Sequence, residues 1–205
     1  MKLYGFPGTR AQRALWGLHE VDADFEYVSV NLLEGEHKRP EFLRVNPAGK
    51  VPVLMDGDLV IPESAAIVLY LAEKYPEKAL LPVDLEERAQ AYRWTLFAVT
   101  ELEQPLWRMT RHAFLYPPDK RLPADIELAR EDFRSMAAIL ETHLEGRRFI
   151  VGDTLTVADC VTVYLIDWAN EVQLIDGFPR LQAYLERLYA RPEAPQRIAD
   201  ARKAA

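Results

Sequence analysis

The sequence predicts an α/β unit followed by an all-helical unit. Three observations predict it. The chain opens on a strand, helix, strand alternation, carries a hairpin signal at Asp56-Gly57-Asp58, and shows no convincing strand pattern beyond residue 86.

Residues 2–6 read as a short strand that Pro7-Gly8 stops. Ala11, Ala14, Leu15 and Leu18 then recur at helical spacing over residues 10–20, with Thr9 placed as an N-cap. Phe25 to Val30 is a second strand, and a helix between two strands implies a crossover and parallel pairing. Gly35 to Asn46 is polar, with a short helical piece expected at Pro40–Leu43. Val51–Met55 and Leu59–Ile61 flank the Asp-Gly turn as a hairpin, and Pro62-Glu63-Ser64 opens a helix that runs to Tyr75.

Residues 76–86 hold two prolines and no clear period, and read as a linker. The expected organisation is therefore 1–76 for the α/β unit, 77–86 for the linker and 87–205 for the helical unit. Glu86 to about Phe114 reads as one long helix bent at Pro105. Pro123 opens the next, with Ile126, Ala129, Phe133, Met136, Leu140 and Leu144 on one face and Gly146 as its stop. Further helices are expected at about 156–170, 179–190 and 193–203. Thr156 and Asp159 form a Thr-x-x-Asp capping box, with Leu155 and Cys160 as its flanking apolar pair.

Hydrophobic residues at 49% and charged residues at 28% of 205 describe an ordinary globular chain able to bury a core. Lys and Arg total 25 against 32 Asp and Glu, a net charge of −7, so nucleic acid is not an expected partner. The longest apolar run, Ala65 to Ala72, is far short of a membrane span, and the N-terminus has no apolar signal region, so no membrane association is expected. A single cysteine, Cys160, permits no intrachain disulfide, which suits a reducing cytoplasm, and it reads as a buried small apolar residue. His19, His37, His112 and His143 are widely spaced with no ligand pattern, so no metal is expected.

Four constellations bear on chemistry, and each also has a plain structural reading. Pro7-Gly8-Thr9-Arg10 puts a hydroxyl and a cation at a helix N-terminus, where unpaired N–H groups stabilise an anion; Thr9 is equally a cap. Val51-Pro52 begins a strand in a forced extended conformation; a cis bond there would offer the Val51 backbone to an extended peptide. Glu63-Ser64 at a helix start can read both ends of an amino-acid zwitterion: Glu63 the ammonium, Ser64 and the helix terminus the carboxylate. His37 and Lys50 lie in loops flanking the third strand and can take a second carboxylate, or are solvated surface groups. Together these describe a ligand with a zwitterionic end, an amide middle, a thiol and a far carboxylate, which is the chemistry of glutathione.

On these residues the chain resembles the cytosolic glutathione transferases over nearly its whole length, in particular bacterial, serine/threonine-type, theta/delta/nu-like members. LYGFPGTRAQRALW is similar to the family's first active-site loop, GEHKRPEFLRVNPAGKVPVLMDGDLVIPESAAIVLYLAEKY to its glutathione-binding half, and the segment from Gly152 to Asp159 to its helical signature. The resemblance implies a thioredoxin-like first domain (βαβ-ββα) and a homodimer. It implies Thr9 as the catalytic hydroxyl where serine is usual, with Arg10 beside it. It implies Val51 with a cis Pro52 on the cysteinyl backbone, Glu63 and Ser64 on the γ-glutamyl group, and His37 and Lys50 at the glycine carboxylate. Arg10 stands where cysteine-type relatives carry Cys, which argues against a mixed-disulfide mechanism. Tyr4, within the first strand, is a rival hydroxyl whose place favours a sheet-face role.

The second substrate is expected against Trp107, Arg108, Arg111, His112, Phe114 and Tyr116, late in the long helix and after it, with Phe6 and Trp168 as weaker members. Aromatics mixed with Arg suit a flat electrophile carrying some negative charge; Trp107 and Phe114 read equally as core or dimer contacts. The expected activity is conjugation of glutathione to a small electrophile. The alternatives are a glutathione-dependent disulfide reductase or peroxidase on the same fold, and a non-catalytic binding module.

Overall fold

A computed structural model of the chain describes residues 1–204, which divide into two compact units. The first opens with β1 (Lys2–Gly5), α1 (Ala11–Glu20) and β2 (Glu26–Ser29). A turn of 3₁₀ helix at Glu36–Lys38 and the short α2 (Pro40–Val45) lead to β3 (Val53–Asp56), β4 (Leu59–Pro62) and α3 (Ser64–Lys74). The sheet order is β2-β1-β3-β4. β1 and β2 are parallel, as the α1 crossover requires, while β3 runs antiparallel to both β1 and β4.

Alternation along the strands assigns the two sheet faces. Leu3 and Leu54 are paired and fully buried on one face, and the apolar stripes of α1 (Ala11, Ala14, Leu18) and α3 (Ile67, Val68, Leu71) are buried with them. Gly17 lets the two helices approach: a Cβ there would stand 3.2 Å from Leu71 Cδ1. On the other face Val30, Phe42 and Val53 form a small cluster, with Tyr4, Val45 and Val51 packed against it. The Tyr4 ring lies 6.2 Å from that of Phe42, so Tyr4 has the sheet-face role its strand position implied.

The second unit is helical: α4 (Leu85–Phe97), α5 (Glu103–Thr110), α6 (Pro123–His143), α7 (Val157–Glu171) and most of α8 (Pro179–Tyr189). Asp84 caps α4 by accepting from the N–H groups of Glu86 and Glu87, both at 3.0 Å. Every residue of α7 from Val157 to Ala169 is buried, which identifies it as the central helix. The capping box at its start is formed: Asp159 Oδ2 accepts from Thr156 N at 2.9 Å, and the Thr156 side chain meets the backbone at Asp159. Asp159 Oδ1 also takes Ile150 N and the Tyr184 hydroxyl, both at 2.9 Å. Leu155 and Cys160 are buried on either side.

Two expectations change in the helical part. The long helix is interrupted before Pro105, by a π-helical segment at Ala98–Leu102, and again at Arg111–Leu115. Proline has no N–H for the carbonyl four residues back and its ring crowds that turn, so the widening falls upstream of the proline. The last helix, α9 (Ile198–Lys203), starts later than residue 193, after the stretch that holds Pro192 and Pro195.

The two units divide the chain after Val83 and again before Tyr189. The first runs to Val83 and takes back the chain from Tyr189 onward. Arg191 donates Nε and Nη2 to the two Glu20 oxygens at 2.9 and 2.7 Å, and Gln12 Nε2 donates to Gln196 O at 2.9 Å. Tyr189 meets the Trp16 ring edge-on at 5.1 Å. These are attachments to α1, so the tail folds as part of the α/β unit.

Candidate functional site

The candidate residues of the first unit lie at the end of β1 and at the starts of β3, α1 and α3. Antiparallel pairing of Tyr4 with Val53 carries Val51-Pro52 to the end of β1, beside the turn that holds Thr9. The Val51–Pro52 bond is cis. Pro52 is buried and Val51 half-buried.

Thr9 is not the residue that caps α1. That position falls to Arg10, in helical conformation and without a side-chain cap. Thr9 stands one residue earlier, half-buried, and its Oγ1 donates to Phe6 O at 2.6 Å while accepting from Ala11 N at 3.3 Å. The hydroxyl is thus oriented by backbone on both sides. Its one proton sits on the Phe6 carbonyl.

At the other helix start, Glu63 is exposed with φ of +72°, in the left-handed region, and Ser64 is buried as the first residue of α3. Non-glycine residues rarely adopt that φ outside turns and ligand clamps. Ser64 Oγ accepts from Nη1 of Arg13 at 3.2 Å. Arg13 is 1% exposed, a buried guanidinium at the position proposed for a carboxylate. Sequence reading missed it, taking the α1 face from its apolar members alone. The available signal was its register: Arg13 lies between Ala11 and Ala14 within the buried set.

The loops carrying His37 and Lys50 abut. A Cβ on Gly49 would stand 2.9 Å from the His37 carbonyl oxygen, and Asn46 Nδ2 holds Lys50 O at 2.7 Å. His37 Nδ1 is buried without a hydrogen-bond partner. Burial, then the Lys38 charge, lowers the imidazole's pKa. Lys50 itself is exposed.

The residues expected at the second substrate divide between the units. Phe6 is half-buried in the first, its carbonyl tied to Thr9. In the second, Trp107 is half-buried on α5 and Phe114 is 74% exposed. Arg108 is consumed by ion pairs: Nη1 donates to Asp132 at 2.6 Å, and Nε and Nη2 donate to Asp125. Those carboxylates raise the Arg108 pKa further. Arg111 lies over the Tyr116 ring at 4.7 Å, and His112 accepts from Leu122 N with its other nitrogen 3.2 Å from Asp125. The expectation that Arg108 offers its charge to a substrate is therefore corrected: two acidic residues on α6 already take it.

Among the described residues no group of three or more His, Cys, Asp and Glu side chains could hold a metal ion. No helix there is long and apolar enough to cross a membrane.

Residues 1–73 match the family model described as "Glutathione S-transferase, N-terminal domain", and residues 105–192 match "Glutathione S-transferase, C-terminal domain". Glutathione S-transferase F9 of Arabidopsis thaliana is 32% identical over 97% of this chain and 96% of its own. Glutathione S-transferase 1 of Dianthus caryophyllus is 42% identical over 78% and 72% respectively. The crystal structure of glutathione transferase F7 from Populus trichocarpa superimposes with a TM-score of 0.84 at 29% identity, covering 98% of both chains. Among these plant relatives several bear F-series names and one a zeta-class name, so the narrower likeness to bacterial theta, delta and nu types is not supported. Thioredoxin-like first unit, helical second unit and both family models agree, and the chain belongs to the glutathione S-transferase family.

Proposed function

We propose that this chain, a glutathione transferase by family, lowers the pKa of the bound glutathione thiol through the Thr9 hydroxyl and presents the thiolate to a small electrophile. The thiol proton goes to solvent, sulfur bonds to carbon, and the leaving group departs with the carbon's former bonding pair; an aryl chloride loses chloride. The observation that carries this reading is Thr9 itself, a hydroxyl fixed by Phe6 O and Ala11 N at the first turn of α1.

The gain from the hydroxyl alone is modest. Moving the Thr9 proton from a neutral carbonyl to an anionic sulfur exchanges an ordinary hydrogen bond for a charge-assisted one, a gain of about 1–2 kcal/mol. That is about one pKa unit. The positive end of α1 and Arg10 add to it.

The rest of the ligand has a place for each end. The Val51 backbone beside Pro52 takes the cysteinyl amide as an added strand does. Glu63 takes the γ-glutamyl ammonium, while Ser64, the α3 terminus and Arg13 behind Ser64 take its carboxylate. His37, whose ring is only partly buried, takes the glycine carboxylate together with Lys50. The family's homodimer, cytoplasmic location and role in detoxification belong to this reading; a mass in solution twice that of the chain tests the first.

Turnover of glutathione with 1-chloro-2,4-dinitrobenzene against turnover with a small disulfide tests the activity. Conjugation exceeding disulfide reduction supports the transferase reading. The reverse order supports the reductase, and glutathione binding without either supports a non-catalytic module.

A further inference from the structure

The tail that folds back onto the first unit brings a cation to the thiol site. Its attachment is firm: Glu20, whose side chain is 8% exposed, holds Arg191 through both oxygens, and Ile198 and Ala201 are buried on the inner side of α9. Arg202 follows in the last turn of α9. Gly8, at φ of +71°, precedes Thr9, and a Cβ on Gly8 would stand 2.5 Å from Arg202 Cγ and 3.0 Å from its Nε. The Arg202 stem therefore lies in the space a side chain at position 8 would fill, with its guanidinium group beside the Thr9 turn.

That guanidinium is exposed, and among the described residues it makes no hydrogen bond or ion pair. Its acidic neighbour on α9, Asp200, is taken by Lys203 at 3.0 Å. The contrast with the helical unit decides the matter. There, Arg108 is neutralised by Asp125 and Asp132. Arg202 retains its charge for a ligand.

We infer that Arg202 is a specificity-determining residue, which selects electrophiles bearing a carboxylate or comparable anionic group and holds that group beside the glutathione sulfur. This rests on the transferase reading. A planar fork of donors suits a carboxylate, and a charge on an exposed side chain acts most on a ligand brought within a few ångströms of it.

The test uses the full chain and two electrophiles that differ in charge, 4-chloro-3,5-dinitrobenzoate and 1-chloro-2,4-dinitrobenzene. The readout is the ratio of their kcat/KM values. In Arg202→Gln the ratio, benzoate over neutral compound, falls about tenfold, and Arg202→Lys restores most of it. In wild type the ratio declines with added salt, and in Arg202→Gln it does not. A ratio that stays the same in Arg202→Gln overturns the assignment. So does an equal loss for both electrophiles with a raised pKa of the bound thiol, which would make Arg202 a thiolate partner instead. If wild type conjugates neither compound, the transferase reading itself fails, an outcome distinct from both.

Discussion

Nη1 of Arg13 donates to the Ser64 hydroxyl across 3.2 Å, joining the body of α1 to the first residue of α3 inside the first unit. Both side chains are buried, at 1% and 4% exposure. A buried guanidinium is costly to keep unless it is hydrogen-bonded. Here it also adds positive charge behind the hydroxyl proposed to meet the γ-glutamyl carboxylate.

Ser64→Ala removes one acceptor of Arg13 and one donor to the ligand. Glutathione KM rises about tenfold, and the protein loses about 1–3 kcal/mol of stability. Arg13→Met, of similar length, raises KM by at least as much. Steady-state kinetics with denaturant melts checks both; an unaltered KM in the two variants removes this corner from the site.

His37→Gln separates the two ends of the ligand. KM for glutathione rises severalfold, whereas KM for γ-glutamylcysteine, which lacks the glycine carboxylate, stays level. Equal effects on both thiols would mean that His37 supports the loop and does not touch the ligand.

Glu20→Gln removes the charge of the clamp on Arg191. Partly buried, hydrogen-bonded charge pairs are worth about 1–3 kcal/mol. Amide hydrogen exchange of residues 190–203 accelerates by about tenfold or more, while α7 in the second unit exchanges as before. Unchanged exchange in the tail would show that buried Ile198 and Ala201 hold it alone.

Asp159 makes stability depend on pH. Burial pushes its carboxyl up to about 6 from an ordinary 3.8, against the pull of four donated hydrogen bonds from Ile150, Thr156 and Tyr184. The folded chain therefore binds this proton more tightly than the unfolded one does. The stability that follows is whole below about pH 4 and is lost as the pH rises towards about 6. Asp159→Asn, which cannot titrate, is the reference. Wild type is more stable at pH 4, and its advantage shrinks between pH 4 and 6 in urea titrations. An advantage that grows across that interval would show the carboxylate to be stabilised by its donors.

What was legible in the sequence was local. The strands, α1, the Asp56-Gly57-Asp58 hairpin and the Thr156–Asp159 box each depend on residues a few positions apart, and each formed close to where the pattern put it. Turn and helix-start chemistry marks Thr9, Val51, Pro52, Glu63 and Ser64 in the sequence, and the structure gives the cis bond at Val51–Pro52 and places the others at the starts of α1 and α3. What escaped depends on distant partners. Arg13 has no local mark in the sequence: its partner Ser64 lies at a separation of 51 residues. Arg108 looked available until Asp125 and Asp132 on α6 came alongside. The tail looked like a continuation of the helical unit because nothing within it announces Glu20 as its anchor.

Activation of the bound thiol turns on the Thr9 proton. With glutathione bound, thiolate absorbance near 240 nm followed against pH measures the thiol pKa in wild type, Thr9→Ser and Thr9→Ala. The prediction is a bound thiol well below its free value of about 8.5, kept in Thr9→Ser and raised by about one unit in Thr9→Ala. A pKa in Thr9→Ala equal to wild type would contradict it, and would leave thiolate stabilisation to the α1 terminus and Arg10.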